Sequence, residues 1–166
     1  MKSDLKTRHG GKILADALLE QGAKMAFGVP GESYLPVLDG MYDVRERFSF
    51  VVCRQEGGAS YMAEAYGKLT GRPGVAMVTR GPGACHAAIG VHTAAQDSTP
   101  MVLLVGQIER RTADRETFQE VDYRQMFGPL AKWVAQVDHA ERVPEYLARA
   151  FHVAMSGRPE IGRAHV

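Results

Sequence analysis

A carboxylate, Glu56, stands between a short apolar run and a helical pattern. Residues 48–53 are apolar and β-branched, which predicts a buried strand, and residues 57–69 carry Ala, Met, Tyr and Leu at helical spacing. In open parallel sheets ligands bind beyond the carboxyl ends of the strands, so we expect Glu56 to face a binding site, where it can share a proton with a ligand. The alternative is a first-turn acid that only complements the helix dipole.

Glycine-containing turns follow the other apolar runs, at residues 28–31, 80–83 and 106–107. Because these turns follow predicted parallel strands, we expect them to converge with Glu56 on one edge of the sheet. The Gly-Pro-Gly turn at residues 81–83 can hold an anion on free amides or can be purely structural. The sequence contains neither a dinucleotide fingerprint nor a phosphate loop.

The elements that position these residues alternate along the chain. An apolar stripe predicts a first helix that ends at Gly22. The remaining patterns predict strands at residues 24–29, 48–53, 74–79, 100–105 and 132–137, and helices at residues 34–42, 57–69, 84–95 and 141–156. This alternation with short connections predicts an α/β fold in three layers, with a mostly parallel sheet and helices on both faces.

Residues 107–130 break this rhythm, because they are rich in charge and poor in periodicity. A long irregular segment in a compact domain is either functional or disordered. Its aromatic residues, Phe118, Tyr123 and Phe127, favour an ordered loop that covers something.

The composition fits one α/β domain, since 166 residues with 45% apolar content can bury a core. The net charge of +1 is spread evenly, which argues against nucleic acid or an anionic membrane as a partner. Cys53 and Cys85 lack metal-ligand spacing and fit a reduced, cytoplasmic location. No signal peptide precedes the domain, and no apolar run is long enough to cross a bilayer.

The last seven residues, 160–166, look foreign to the domain. A DNA sequence that contains a common sequencing-library adapter can encode them, so we expect a non-native tail after a domain at residues 10–159. A natural polar tail is the alternative.

Five segments together resemble the N-terminal pyrimidine-binding domain of thiamine-diphosphate enzymes, most closely the acetolactate synthase branch. The resemblance extends over about residues 10–159, with the motifs in order and correctly spaced. The segments are GVPG at residues 28–31, RQEGGA at 54–59, AEAYGKLTG at 63–71, TRGPGA at 79–84 and AAQDSTP at 94–100.

The resemblance implies that Glu56 is catalytic. In the family, such a glutamate hydrogen-bonds a ring nitrogen of the cofactor's aminopyrimidine and stabilises its imino tautomer. The activated cofactor then attacks a 2-oxo acid and accepts the electrons that decarboxylation leaves.

The same resemblance assigns further cofactor contacts. Pro30 and Gly31 correspond to a turn against the cofactor, and Thr79, Pro82 and Gly83 to a second wall. From the residues alone, both are equally compatible with ordinary turns between strands and helices.

Three more positions carry a role with an open alternative. Phe118 and Gln119 resemble a pair that borders the substrate pocket, or they are a core aromatic beside a surface Gln. His86 stands where many family members have Asn, so it either lines the cofactor site or packs on a partner.

The resemblance also implies parts that this chain does not contain. Family enzymes hold Mg²⁺ and the diphosphate in another domain with a Gly-Asp-Gly motif, and no such motif or metal-ligand cluster occurs here. Some carry FAD in a central domain. The active site lies between two subunits, so we expect a half-site that is inactive alone and a homodimer or homotetramer when full length. Small residues of the helices suit either subunit packing or burial on the sheet: Ala59, Ala63, Ala84, Ala87, Ala88 and Gly90.

We therefore predict the pyrimidine-binding half of a thiamine-diphosphate-dependent carboligase or decarboxylase of 2-oxo acids. One alternative is another lyase of the family, acting on an acyl-CoA or an aldehyde adduct. A second is a non-catalytic module that pairs with another chain, and a third is a flavodoxin-like nucleotide binder.

Overall fold

The computed structural model describes residues 7–159 and 161–165. Their strands form one six-stranded sheet in the order β2-β1-β3-β4-β6-β5, and every strand pairing is parallel. The helices are α1 (Gly10–Glu20), α2 (Leu35–Asp43), α3 (Glu56–Thr70), α4 (Pro82–Asp97), α5 (Tyr123–Phe127) and α6 (Val143–Met155). The strands are β1 (Met25–Gly28), β2 (Ser49–Val52), β3 (Gly74–Val78), β4 (Met101–Val105), β5 (Trp133–Gln136) and β6 (Ile161–His165).

Two apolar clusters cover the two faces of the sheet. Along β3, Val75 and Met77 point to the cluster formed with α1, α2 and α6. Ala76 and Val78 point to the cluster formed with α3, α4 and α5. This alternation follows from the two-residue period of a strand, and it confirms the predicted three-layer α/β fold.

Strand β2 differs from its prediction as a buried strand. It pairs with β1 at one edge of the sheet, and its residues are half-buried or exposed, with Val52 64% exposed. An apolar, β-branched run cannot by itself distinguish an edge strand from a central one, because the difference depends on which strands come to lie beside it.

The small residues of α3 and α4 pack within the chain. Ala59, Ala63, Ala84 and Ala87 are fully buried in the cluster on the sheet. At Gly90 a β-carbon would collide with Ser60 of α3, so the missing side chain brings the two helices close together. Of the two alternatives for these residues, the structure favours burial inside the domain.

Residues 161–165 form β6 between β4 and β5, where the sequence analysis assigned no strand. Gly162 and Arg163 interrupt the apolar pattern, so the periodicity gave no strand signal. The segment is a strand because it forms backbone hydrogen bonds with β4 on one side and β5 on the other. Ile161 is fully buried. The non-native origin of residues 160–166 stays a prediction.

Candidate functional site

Glu56 opens α3 directly beyond the carboxyl end of β2. The N-cap residue, Gln55, accepts a hydrogen bond from the backbone N–H of Gly58 over 3.0 Å, which fixes the first helical turn. The Glu56 side chain is only 13% exposed. The start of α3 therefore holds a largely buried carboxylate beyond the carboxyl ends of the strands, where ligands of parallel sheets bind.

The start of α4 approaches Glu56 closely because position 83 is a glycine. A β-carbon at Gly83 would lie 3.4 Å from Glu56 Oε1 and 2.9 Å from Thr79 Cγ2. A β-carbon at Gly31 would lie 2.5 Å from Thr79 Cβ. One continuous group of contacts thus joins Gly31, Thr79, Gly83 and Glu56. These residues come from the turns that the sequence places after β1, β2 and β3. Whether they bind a cofactor stays a prediction.

Hydrogen bonds lock the first wall onto the second. Ser33 Oγ lies 2.8 Å from Thr79 Oγ1 and accepts the backbone N–H of Arg80 over 3.3 Å. The Arg80 guanidinium pairs with Glu32. No role was predicted for Ser33 from the sequence. Its position two residues after Gly31, in the same loop, is the signal that could have indicated one.

The carboxylate of Glu56 also acts electrostatically on the buried Tyr34. Burial and, second, the negative charge of Glu56 raise the pKa of the Tyr34 phenol above its ordinary value. The Tyr34 hydroxyl donates a hydrogen bond to the backbone carbonyl of Val29. Tyr34 therefore remains a neutral donor that ties the turn after β1 to the protein interior.

His86, on the second turn of α4, contacts the carboxylate directly. Its Nδ1 lies 3.0 Å from Glu56 Oε2, and its side chain is 56% exposed. Pro82, the first residue of α4, is exposed, and so is Pro30, in the loop after β1. His86 is thus in the predicted site, while the two prolines stand at its rim.

The irregular segment after β4 lies against the glycine turn. A β-carbon at Gly81, whose φ is +56°, would lie 2.7 Å from Gln119 Cβ. The Tyr123 hydroxyl accepts the backbone N–H of Gly81 over 2.7 Å, and Arg80 Nε donates to the carbonyl of Phe118 over 3.3 Å. Phe118 is 73% exposed, so the core alternative for this aromatic is wrong.

The segment holds its own shape through Glu120. The Glu120 carboxylate accepts the backbone N–H groups of Asp114 and Thr117 over 2.7 and 3.0 Å. These hydrogen bonds lower the pKa of Glu120, because they stabilise its charged form. The segment is an ordered cover of the glycine turn, in agreement with the prediction from its aromatic residues.

A cavity of about 390 Å³ lies at the opposite edge of the sheet, away from Glu56. Lys24, Arg72 and His152 line it. Arg72, two residues beyond the end of α3, places a positive charge near a helix C-terminus, where it complements the helix dipole.

Two features are absent from the described residues. They contain no group of three His, Cys, Asp or Glu side chains that could hold a metal ion. None of the helices in this part of the chain has the length and apolar character that crossing a membrane requires.

The chain is similar to known acetolactate synthases over most of its length. It is 40% identical over 150 residues to the "Acetolactate synthase catalytic subunit, mitochondrial" of Aspergillus candidus, covering 90% of this chain and 22% of the relative. It is 38% identical over 157 residues to the "Acetolactate synthase" of Bacillus subtilis, covering 95% of this chain and 27% of the relative. A "Probable acetolactate synthase large subunit" of Methanocaldococcus jannaschii is 34% identical over 157 residues, with 95% and 26% covered.

The chain thus spans about a quarter of the length of these relatives. Residues 8–126 match the family model "Thiamine pyrophosphate enzyme, N-terminal TPP binding domain". This match contains Glu56, the glycine turns at residues 28–31 and 80–83, and Phe118 and Gln119 of the segment after β4. The chain belongs to the family of N-terminal thiamine-diphosphate-binding domains, with acetolactate synthases among its relatives.

Proposed function

We propose that this chain is the pyrimidine-binding half of a thiamine-diphosphate-dependent carboligase or decarboxylase that acts on 2-oxo acids. The observation that carries the proposal is the position of Glu56, a carboxylate 13% exposed at the start of α3, beside Gly83 at the start of α4. The family match and the acetolactate synthase relatives support the choice of cofactor and reaction class.

The residues present fit the cofactor's aminopyrimidine. A carboxylate accepts hydrogen bonds, and Glu56 can hold a proton between its oxygen and a ring nitrogen of the pyrimidine. Gly83 keeps the space beside Oε1 free of a side chain, since a β-carbon there would lie in contact with this oxygen at 3.4 Å. Bound thiamine diphosphate supplies a carbon nucleophile and an electron sink for decarboxylation.

The other predicted residues would orient the ring and the substrate. The turn with Pro30 and Gly31 forms one wall, and the turn with Thr79, Pro82 and Gly83 forms the other. At Gly31 and Gly83 the absence of a side chain allows a flat ring to approach the backbone closely.

The substrate side would be formed by the segment after β4. Phe118 exposes an apolar ring, and Gln119 offers amide donors and an acceptor. Both project from the cover next to Gly81. They would border the space in which a small 2-oxo acid meets the cofactor.

The diphosphate needs a partner domain. The described residues provide no metal cluster, so Mg²⁺ and the diphosphate would be held by another domain of the same or a second chain, and any FAD by a central domain. Tyr61, Met62 and Ile89 expose apolar surface on α3 and α4, with 41%, 43% and 54% exposed. This surface supports pairing with a second subunit next to Glu56.

Titration calorimetry with thiamine diphosphate tests the proposal on the full chain mixed with Mg²⁺ and a diphosphate-binding domain of an acetolactate synthase, because that domain would hold the diphosphate. We expect Glu56→Gln to weaken binding by about tenfold or more, because a hydrogen bond to a charged group contributes about 1.5–3 kcal/mol. Glu20→Gln, at the exposed end of α1, is the matched control and should bind like the wild type. Equal affinity of the wild type and Glu56→Gln would contradict the assignment.

A second experiment tests the reaction class. Mixing the chain with a diphosphate-binding domain of an acetolactate synthase, thiamine diphosphate and Mg²⁺ should give consumption of a 2-oxo acid that the Glu56→Gln chain lacks. Binding of that domain without turnover would favour the non-catalytic module instead.

A further inference from the structure

His86 and Glu56 come from different helices and meet at the site. The residues lie 30 positions apart in sequence, and the contact joins His86 Nδ1 to Glu56 Oε2 over 3.0 Å. The carboxylate is largely buried, while the imidazole is 56% exposed. The histidine thus covers the Oε2 side of the carboxylate.

The chemistry of the pair determines which atom carries the proton. A carboxylate is only an acceptor, so the hydrogen bond requires a proton on His86 Nδ1. In the neutral ring this leaves Nε2 without one, because the hydrogen bond of one nitrogen sets the tautomer. The pair therefore selects the Nδ1–H form of His86.

The two carboxylate oxygens of Glu56 have different neighbours. Oε2 is occupied by His86, while Oε1 faces the position of Gly83, where a β-carbon would be 3.4 Å away. The last torsion of a Glu side chain is soft and roughly two-fold, so an unsupported carboxylate samples many orientations. A donor on Oε2 restricts that rotation and keeps Oε1 directed to the turn.

We propose that His86 is a positioning residue that holds Glu56 with Oε1 presented to the pyrimidine of the cofactor. The inference rests on the proposed function for its ligand, but the pairing itself is a property of the free chain. It gives a defined role to a residue for which the sequence left two alternatives open.

The first test detects the tautomer by long-range ¹H–¹⁵N NMR of the full chain with labelled histidines. At about pH 8.5, two units above the ordinary pKa of histidine, an unpaired ring is neutral. We expect His86 to show a protonated Nδ1 and a bare Nε2, and Glu56→Ala to remove this preference. The unchanged signals of the other histidines show that the variant is folded, and Glu20→Ala is the control.

A wild-type His86 with the proton on Nε2 would overturn the proposal, whatever the stability of the variants. Unchanged His86 shifts in a folded Glu56→Ala chain would overturn it as well. Neither result depends on the cofactor, so a failure here is distinguishable from a chain that does not bind thiamine diphosphate.

The second test measures the dissociation constant of thiamine diphosphate for two His86 variants. We expect His86→Ala to weaken binding about fivefold, less than the roughly tenfold or more that loss of a buried hydrogen bond to a charged group costs, because the ring is exposed. His86→Asn retains a side-chain N–H donor and should restore affinity to within about twofold of the wild type. Equal weakening in both variants, or none in His86→Ala, would overturn the positioning role.

Discussion

The two sides of the site next to Glu56 are built by opposite means. In the turn between β3 and α4, missing side chains at Gly81 and Gly83 allow close approach of backbone, Thr79 and Gln119. In the segment after β4, added polar side chains hold an irregular backbone, since Glu120 binds two backbone N–H groups. The first side tolerates no added atom, whereas the second depends on charges and hydrogen bonds.

The difference also appears in the backbone. Asp114, Glu116 and Gln119 all have positive φ, between 53° and 65°, although none is glycine. Such conformations cost free energy and persist only where surrounding contacts hold them. The backbone of the segment therefore depends on hydrogen bonds, both those to Glu120 within the segment and those that join it to the glycine turn.

The largest effect is expected from filling the space on the glycine side. Gly31→Ala places a β-carbon 2.5 Å from Thr79 Cβ, although its φ of −147° suits alanine, so the cost is steric. We expect a loss of about 2–3 kcal/mol in the free energy of unfolding, measured with urea.

Gly58→Ala is the matched control for that change. It meets nothing within 4 Å and lies in the first turn of α3, so we expect a gain of about 0.5–1 kcal/mol. Similar stability of the Gly31→Ala and Gly58→Ala chains would mean that the two walls are not in close contact.

The second prediction concerns the hydrogen bond between the two sides. Tyr123→Phe removes the hydroxyl that accepts the buried backbone N–H of Gly81 over 2.7 Å. We expect a loss of about 1–2 kcal/mol and faster amide exchange at Gly81, because a buried donor loses its partner. Tyr42→Phe, on a side chain 65% exposed, is the control and should change neither quantity. Slow exchange at Gly81 in the Tyr123→Phe chain would show that the two sides are held independently.

The smallest effect is expected from the charge that shapes the segment. Glu120→Gln should speed amide exchange at Asp114 and Thr117 at pH 7, since the hydrogen-bonded carboxylate is lost. The pKa of Glu120 is lowered in the folded chain, so its stabilising contribution is present above the unfolded pKa of about 4.3 and is lost as pH falls through the folded pKa.

The difference between the wild type and Glu120→Gln should therefore shrink as the pH is lowered below about 4. Glu116→Gln, at an exposed acid of the same segment, is the control and should leave amide exchange at Asp114 and Thr117 unchanged at pH 7. A difference that persists at acid pH would attribute the effect to side-chain packing and not to charge.

Local patterns predicted most of the elements to within a few residues. Helix α3 was expected at residues 57–69 and lies at Glu56–Thr70. The agreement is close because the residues that cap the helix, Gln55 and Gly71, directly flank it in sequence. Strand β6 was not predicted, since Gly162 and Arg163 interrupt its apolar pattern. Phe118 was left between core and site, because no local pattern shows whether an aromatic in a loop has a surface to pack on.

The sequence by itself determined the alternation of strands and helices, the glycine turns after the strands and the place of Glu56 at a helix start. These depend on residues a few positions apart, where propensity and capping act. Only the tertiary structure decided that β2 lies at the sheet edge, that His86 contacts Glu56 across 30 positions and that Tyr123 binds Gly81 across 42. Such contacts depend on how the layers pack, and no local pattern in a single sequence encodes that packing.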